Sequence, residues 1–173
     1  MIYFGKMGLI ERLQINSYGT SLAENTMVDR AKEVEQYIPE KYLTEIKGLA
    51  AGSGIDYDYI LMLNTAATTG WKHFSCTSVA VKMQDGKIIR SRSYETLFGQ
   101  LLKPHILFIN QPSQGYAFAS LFVPGIIGVF TAMNETGLNF GPHGIIKAPT
   151  DWKGFPNEIL NRQIIENADS VEE

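Results

Sequence analysis

Cys76-Thr77-Ser78-Val79-Ala80-Val81-Lys82-Met83-Gln84-Asp85-Gly86-Lys87-Ile88-Ile89-Arg90-Ser91-Arg92-Ser93-Tyr94-Glu95 decides the fold of this chain. Two runs rich in β-branched residues flank Asp85-Gly86, the strongest short-range hairpin signal, because a type I′ turn needs positive φ at both central residues. A two-residue loop there pairs Gln84 with Lys87 and carries the register down to Cys76 opposite Glu95. Directly paired residues share a face, with Cβ atoms ~5 Å apart. A thiol and a carboxylate are thus expected together at the open end of the hairpin. The same register sets Arg92 opposite Val79, on the other face, so bringing Arg92 to Cys76 as well would need a bulge between 92 and 95.

Outward from the hairpin, the periodicity changes. Before it, residues 21–37 carry an imperfect helical stripe of Leu22, Val28, Ala31, Val34 and Ile38. Pro39 suits a helix start, and Tyr42, Leu43, Ile46, Leu49 and Ala50 predict a second amphipathic helix ended by Gly52-Ser53-Gly54. Asp56 is placed to cap a short third helix through Asn64, and Thr65 to Ser75 reads as an exposed linker. After the hairpin, strands are expected over 104–111, 116–123, 126–133 and 137–141. A last helix is expected from Pro156, using Ile159, Leu160, Ile164 and Ile165, and running on to the end at Glu173 without a stop signal.

The chain has 173 residues, 45% apolar and 19% charged, enough for one domain with a real core. A net charge of −3 without a basic cluster argues against nucleic acid as the partner. No apolar run approaches a membrane span, and Met1-Ile2-Tyr3-Phe4-Gly5-Lys6 lacks the pattern of a signal peptide, so a cytoplasmic location is expected if Met1 is the true start. Cys76 is the only cysteine, and no Cys/His spacing suits a metal site, so neither metal nor other cofactor is expected. His73, His105 and His143 are not placed by spacing as its base. A cysteine exposed as a new N-terminus would instead carry its own base, an α-amine with a pKa near 8 in model peptides.

Several motifs carry a family resemblance. Cys76-Thr77-Ser78, with Arg92 and Glu95 downstream, resembles the Cys…Arg-x-x-Asp signature of N-terminal-nucleophile (Ntn) amide hydrolases. The branch is that of choloylglycine hydrolase, penicillin V acylase, acid ceramidase and the acyl-CoA:6-aminopenicillanic acid acyltransferases. Ala132-Met133-Asn134-Glu135-Thr136-Gly137-Leu138 looks like their Gly-Met-Asn-x-x-Gly-Leu element. Glu45 to Gly54 and Ile60-Leu61-Met62-Leu63-Asn64 look like the pro-segment of the acyltransferase branch. The likeness runs from about Pro39 to the C-terminus, in the family's order.

The resemblance implies an α+β fold, an αββα sandwich built from a helical pro-segment and linker over 1–75 and the first half of a catalytic domain over 76–173. Because that sandwich needs two sheets between two helical layers, the chain reads as a fragment of a longer precursor. It further implies self-cleavage between Ser75 and Cys76. Cys76 would then be the nucleophile toward a linear, non-peptide amide, forming a thioester for hydrolysis or transfer to an amine. Arg92 would hold the thiolate or substrate carbonyl. Glu95, in place of the family's Asp, would bond the α-amine, and Asn134 would donate to the oxyanion. A small-molecule amide or acyl substrate is the implied partner, and a homo-oligomer remains open. The alternative is a non-catalytic paralogue or truncated interaction module. A papain-type motif around the cysteine is absent.

Overall fold

The computed structural model describes residues 21–69, 74–96, 104–143 and 152–172. Three helices come first: α1 (Ser21–Glu35), α2 (Glu40–Ser53) and α3 (Tyr57–Thr69). An antiparallel hairpin of β1 (Phe74–Lys82) and β2 (Ile88–Thr96) follows. A second, four-stranded antiparallel sheet runs in sequence order through β3 (Ile106–Asn110), β4 (Phe118–Phe122), β5 (Ala132–Asn134) and β6 (Asn139–Phe140). Helix α4 (Asn157–Asn167) completes an α+β arrangement of four helices and two antiparallel sheets among the described residues. Residues 1–20 and 70–73 of the expected helical segment, with the side chain of Leu22, lie outside the described residues.

The helical stripes read from the sequence do form the first core. Ala31, Ile38, Tyr42, Leu43, Ile46, Ala50, Ile60, Leu61 and Met62 are buried together, joined by Ile159 from α4 and by Ile127. Pro39 precedes the first turn of α2, where its missing N–H leaves nothing unsatisfied, and Gly54 ends it in the left-handed conformation, with its N–H donating to Ala50 O. A second cluster gathers Leu63, Phe122, Val123, Ile126 and Phe130, and a third packs Phe118, Val129 and Ala132 on Ile165 of α4.

Before the last helix the structure departs from the sequence expectations at three places. The third helix does not stop at Asn64 but runs to Thr69, and Thr65 and Thr69 are fully buried, so 65–69 is not exposed linker. Their hydroxyls donate to Leu61 O at 3.0 Å and Thr65 O at 2.9 Å, which suits threonine inside a buried helix. Ser75 likewise lies in β1, with its backbone opposite Glu95. Residues 126–131 are not strand: side chains hold much of this backbone, with Val129 N donating to Glu158 O at 3.2 Å and Thr131 O accepting from Leu121 N at 2.9 Å. Asn64 accepts from Ile127 N (2.7 Å) and donates to Gly125 O (2.9 Å), while Asn161 donates to Val129 O (3.0 Å). Gly128 lies so close to α4 that an added Cβ would stand 2.6 Å from Glu158 Cβ.

Helix α4 buries a mixed face. Ile159 and Ile165 are fully buried as expected, but Leu160 is exposed, and Glu158, Asn161, Arg162 and Glu166 are buried in place of further apolar residues. The helix also ends before the chain does, at Asn167, with Ala168 extended (φ −88°, ψ 138°). Glu166 accepts from Tyr42 Oη (2.7 Å), Lys41 Nζ (2.9 Å) and Arg162 Nε (2.8 Å). Arg162 also pairs with Glu45 at 2.7 Å, so α2 and α4 are joined by a buried charge network. Burial alone would push the Glu166 carboxyl up; the bonds from Tyr42, Arg162 and Lys41 outweigh it and hold the group below the usual range. Glu158 shows the opposite balance, its burial raising it despite bonds from Thr68 and the Ala67 and Thr68 amides.

Removing one member of a buried charge network leaves the others unpaired, so Glu166→Gln should destabilise the protein at pH 7 by about 3 kcal/mol. A carboxyl held low contributes stability above its unfolded pKa of ~4.3 and loses it as pH falls through the folded value. Urea unfolding curves should therefore show the gap between wild type and variant narrowing below about pH 4.

Candidate active site

The hairpin loop decides which side chains meet. Met83 N donates to Lys87 O at 2.7 Å and Gly86 N to Met83 O at 3.0 Å, so the loop has three residues, Gln84-Asp85-Gly86. Gly86 takes φ 87°, the left-handed position that closes such a loop without a Cβ clash. Asp85 supports it by accepting from Lys87 N at 3.1 Å. The two-residue loop expected from Asp-Gly is thus corrected by one residue. Cys76 pairs with Tyr94, Ser75 with Glu95 and Ser78 with Arg92. Because strand side chains alternate, a slip of one exchanges the faces.

Cys76, Ser78, Arg90, Arg92 and Tyr94 consequently share one face, and no bulge is needed. Arg92 Nη2 lies 2.9 Å from Cys76 Sγ and 2.5 Å from Pro142 O. Its Nη1 donates to Phe130 O (2.6 Å) and Thr131 Oγ1 (2.7 Å). A guanidinium can only donate, so the sulfur is the acceptor. The remaining N–H, on Nε, is buried without a partner, and leaving such a donor unmet costs on the order of 1–3 kcal/mol. Unmet buried donors are uncommon.

Tyr94 forms the floor beneath this pair. Its ring meets Phe122 edge-on at 5.6 Å and Phe130 at 5.8 Å, and the Arg92 guanidinium lies 5.3 Å from its centroid. Burial, with the neighbouring Cys76 sulfur, pushes the phenol up to about 12, so it keeps its proton through the physiological range. Farther along the face, Arg90 Nη2 donates to Ser78 Oγ (3.3 Å) and Gly141 O (3.1 Å), and its Nη1 to Asn139 Oδ1 (2.7 Å). Ser78 Oγ also shares a 2.7 Å hydrogen bond with His143 Nε2. A Cβ added to Gly141 would stand about 3 Å from both arginine side chains, so a larger residue there would push them aside.

Two sequence-predicted residues are not brought to Cys76. Glu95 is on the opposite, exposed face, where it accepts from Thr77 Oγ1 at 2.9 Å; the expected Cys76–Glu95 pairing is corrected by the register. Asn134 is buried and committed elsewhere. Its Nδ2 donates to Ile165 O (3.1 Å) and Ala168 O (2.8 Å), its Oδ1 accepts from Leu138 N (3.0 Å) and Thr136 Oγ1 (2.7 Å), and its own N–H donates to Leu138 O (3.1 Å). It caps the end of α4 and closes the β5–β6 turn, so its N–H groups are not available to an oxyanion. Tyr94, Arg90, Ser78 and His143 were missed by sequence reasoning. The spacing of two from Arg90 to Arg92 to Tyr94 was the available signal, since it sets all three on one face.

The comparisons with known proteins add a distant relative. An uncharacterized protein of Archaeoglobus fulgidus is 27% identical to this chain over 169 aligned positions, which take in 82% of the chain and 28% of that protein's length. The chain therefore spans little more than a quarter of the relative it matches. No family model matches the chain. Among the described residues no group of His, Cys, Asp and Glu is arranged to hold a metal ion, and no helix is long and apolar enough to cross a membrane.

Losing the guanidinium removes a charge-assisted donor to the sulfur, an effect of about tenfold in rate. Iodoacetamide alkylation of Cys76 at pH 7, followed by intact mass, should slow by that factor in Arg92→Gln. Glu95→Gln, on the other face, should change it by less than about twofold.

Proposed function

We propose that this chain belongs to an Ntn-type cysteine amidohydrolase or acyltransferase that acts on a linear, non-peptide amide. The observation that carries the reading is the contact between Arg92 and Cys76: a permanent cation, fixed by two carbonyls and a hydroxyl, set 2.9 Å from the only sulfur nucleophile. The motif order along the chain supports it. The sandwich form of the fold is part of the same proposal. Leu107, Ile109, Leu121 and Met133 are exposed on the face of β3–β5 turned away from α4, and a second sheet would cover them.

The chemistry runs in two stages. In the first, Cys76 Sγ attacks the carbonyl carbon of Ser75 and the acyl group moves from nitrogen to sulfur. Water then hydrolyses that thioester, leaving a carboxylate on Ser75 and a free α-amine on Cys76. In the second, the α-amine takes the thiol proton as sulfur attacks the substrate amide, and the departing amine leaves protonated. Water or an acceptor amine resolves the new thioester. Arg92 holds the sulfur and offers positive charge where the carbonyl oxygen gains negative charge. Tyr94 supports the guanidinium from below. Glu95 and Asn134 have no part in this scheme.

Intact mass spectrometry of the protein expressed from its complete gene tests the first stage. Cleavage between Ser75 and Cys76 is expected, with release of amine from N-acyl amides afterwards. Cys76→Ala should give one uncut chain without amidase activity, and Cys76→Ser a slowly cut one, because a hydroxyl is much the weaker nucleophile. Continued processing of Cys76→Ala at this bond would mean that another protease cuts it. Retained amidase activity in that variant would overturn the mechanism.

A further inference from the structure

Among the described residues Arg90 has no counter-ion. Its three hydrogen bonds all go to neutral oxygens, of Ser78, Asn139 and Gly141, and no carboxylate among the described residues lies within ion-pair distance of it. Arg92, two residues on and on the same face, also faces only neutral acceptors and the Cys76 sulfur. Elsewhere in the molecule the buried guanidinium of Arg162 is matched by two carboxylates, Glu45 and Glu166. Two half-buried cations side by side without an anion is a costly arrangement unless a ligand brings the charge.

A cleft of about 960 Å³ opens beside Arg90, between β6, α4 and the segment after it. Leu138, Phe140, Leu160, Ile164 and Val171 give it a mostly apolar wall, and Arg90 is the one charged residue among its described lining residues. A single cation in an apolar cleft selects an amphipathic anion: the charge pairs with the guanidinium while the apolar part displaces water from the wall. Along β2, Arg90 is four residues from Tyr94, the partner of Cys76, a separation of ~13 Å at the strand rise. The long arginine side chain shortens that reach, so an anion at Arg90 lies on the order of 10 Å from the sulfur.

We propose that Arg90 and the cleft beside it form an anion subsite, and that the amide attacked by Cys76 carries a carboxylate on the order of 10 Å from its scissile carbonyl. The proposal rests on the Cys76 reading above and names the substrate class of that site. Arg90 binds the carboxylate, and the cleft receives the apolar portion of the same molecule.

Because Cys76 is the only cysteine, affinity labels report on it alone. The probes are N-iodoacetyl-6-aminohexanoic acid, whose carboxylate extends a comparable distance, its methyl amide, and N-iodoacetylglycine, whose carboxylate is too close to reach Arg90. The long acid should label Cys76 about tenfold faster than the methyl amide, the size of one charge-assisted contact. That ratio should fall to near one in Arg90→Gln, stay at several-fold in Arg90→Lys, and be unaffected by Arg90 when the glycine probe is used. A ratio near one in the wild type, or one that Arg90→Gln leaves intact, overturns the subsite. If the ratio is high but the methyl amide labels Cys76 no faster than N-acetylcysteine at the same pH, the subsite stands and the nucleophile reading falls. If the methyl amide labels fast without a carboxylate preference, the nucleophile reading stands and the subsite falls.

Discussion

The guanidinium of Arg92 is the joint of this structure. It leaves the two-stranded hairpin, reaches the carbonyl of Phe130 and the hydroxyl of Thr131 at the entry to β5, and takes in the carbonyl of Pro142 beyond β6. Among the described residues the two sheets share no ladder hydrogen bonds, so these contacts, with those of Arg90 and the Tyr94 ring, seat one on the other. The same group then holds Cys76 Sγ. Architecture and candidate chemistry therefore depend on one side chain, and the position of the sulfur is set by whatever positions the second sheet.

What positions the second sheet is largely polar. Asn64 clamps the loop at Gly125 and Ile127, Asn161 and Arg162 hold Val129 and Ile127, and Glu158 takes the amides near the end of α3. Buried polar groups are tolerable only when each finds a partner, and here α3, α4 and the loop supply one another's partners. The apolar clusters lie between these clamps, with Phe122 and Phe130 stacked on each other and Tyr94 edge-on to both beneath the Cys76–Arg92 pair. A site carried on a hairpin that would be marginal alone is thus held by the helical core through the β4–β5 loop.

The candidate site was half legible. Cys76 and Arg92 were found by their motif, but the Asp85-Gly86 pair read as a two-residue turn placed them on opposite faces and brought in Glu95 instead. Dipeptide chemistry shows that a tight turn forms. It does not show whether Gln84 is in the strand or in the loop, because a glycine at positive φ serves both the two-residue and the three-residue form. One residue of ambiguity inverted the whole face. Asn134 matched a motif, yet an asparagine at the start of a turn has local uses, and here the C-terminal carbonyls of α4 take its amide.

By itself the sequence determined the order of the elements: amphipathic helices, then an antiparallel hairpin around Asp85-Gly86, then short strands and a last helix. It did so because periodicity and turn chemistry are local properties, readable within a window of a few residues. It also singled out Cys76, the only sulfur nucleophile available. Only the tertiary structure decided the register, the end of α3, the loop at 126–131 and the company of Cys76. Each of these depends on a partner far along the chain: Arg92 on Phe130 and Pro142, Ala67 on Glu158, Ile127 on Asn64. No local pattern encodes such a partner, because a hydrogen bond between distant residues leaves no periodicity at either end.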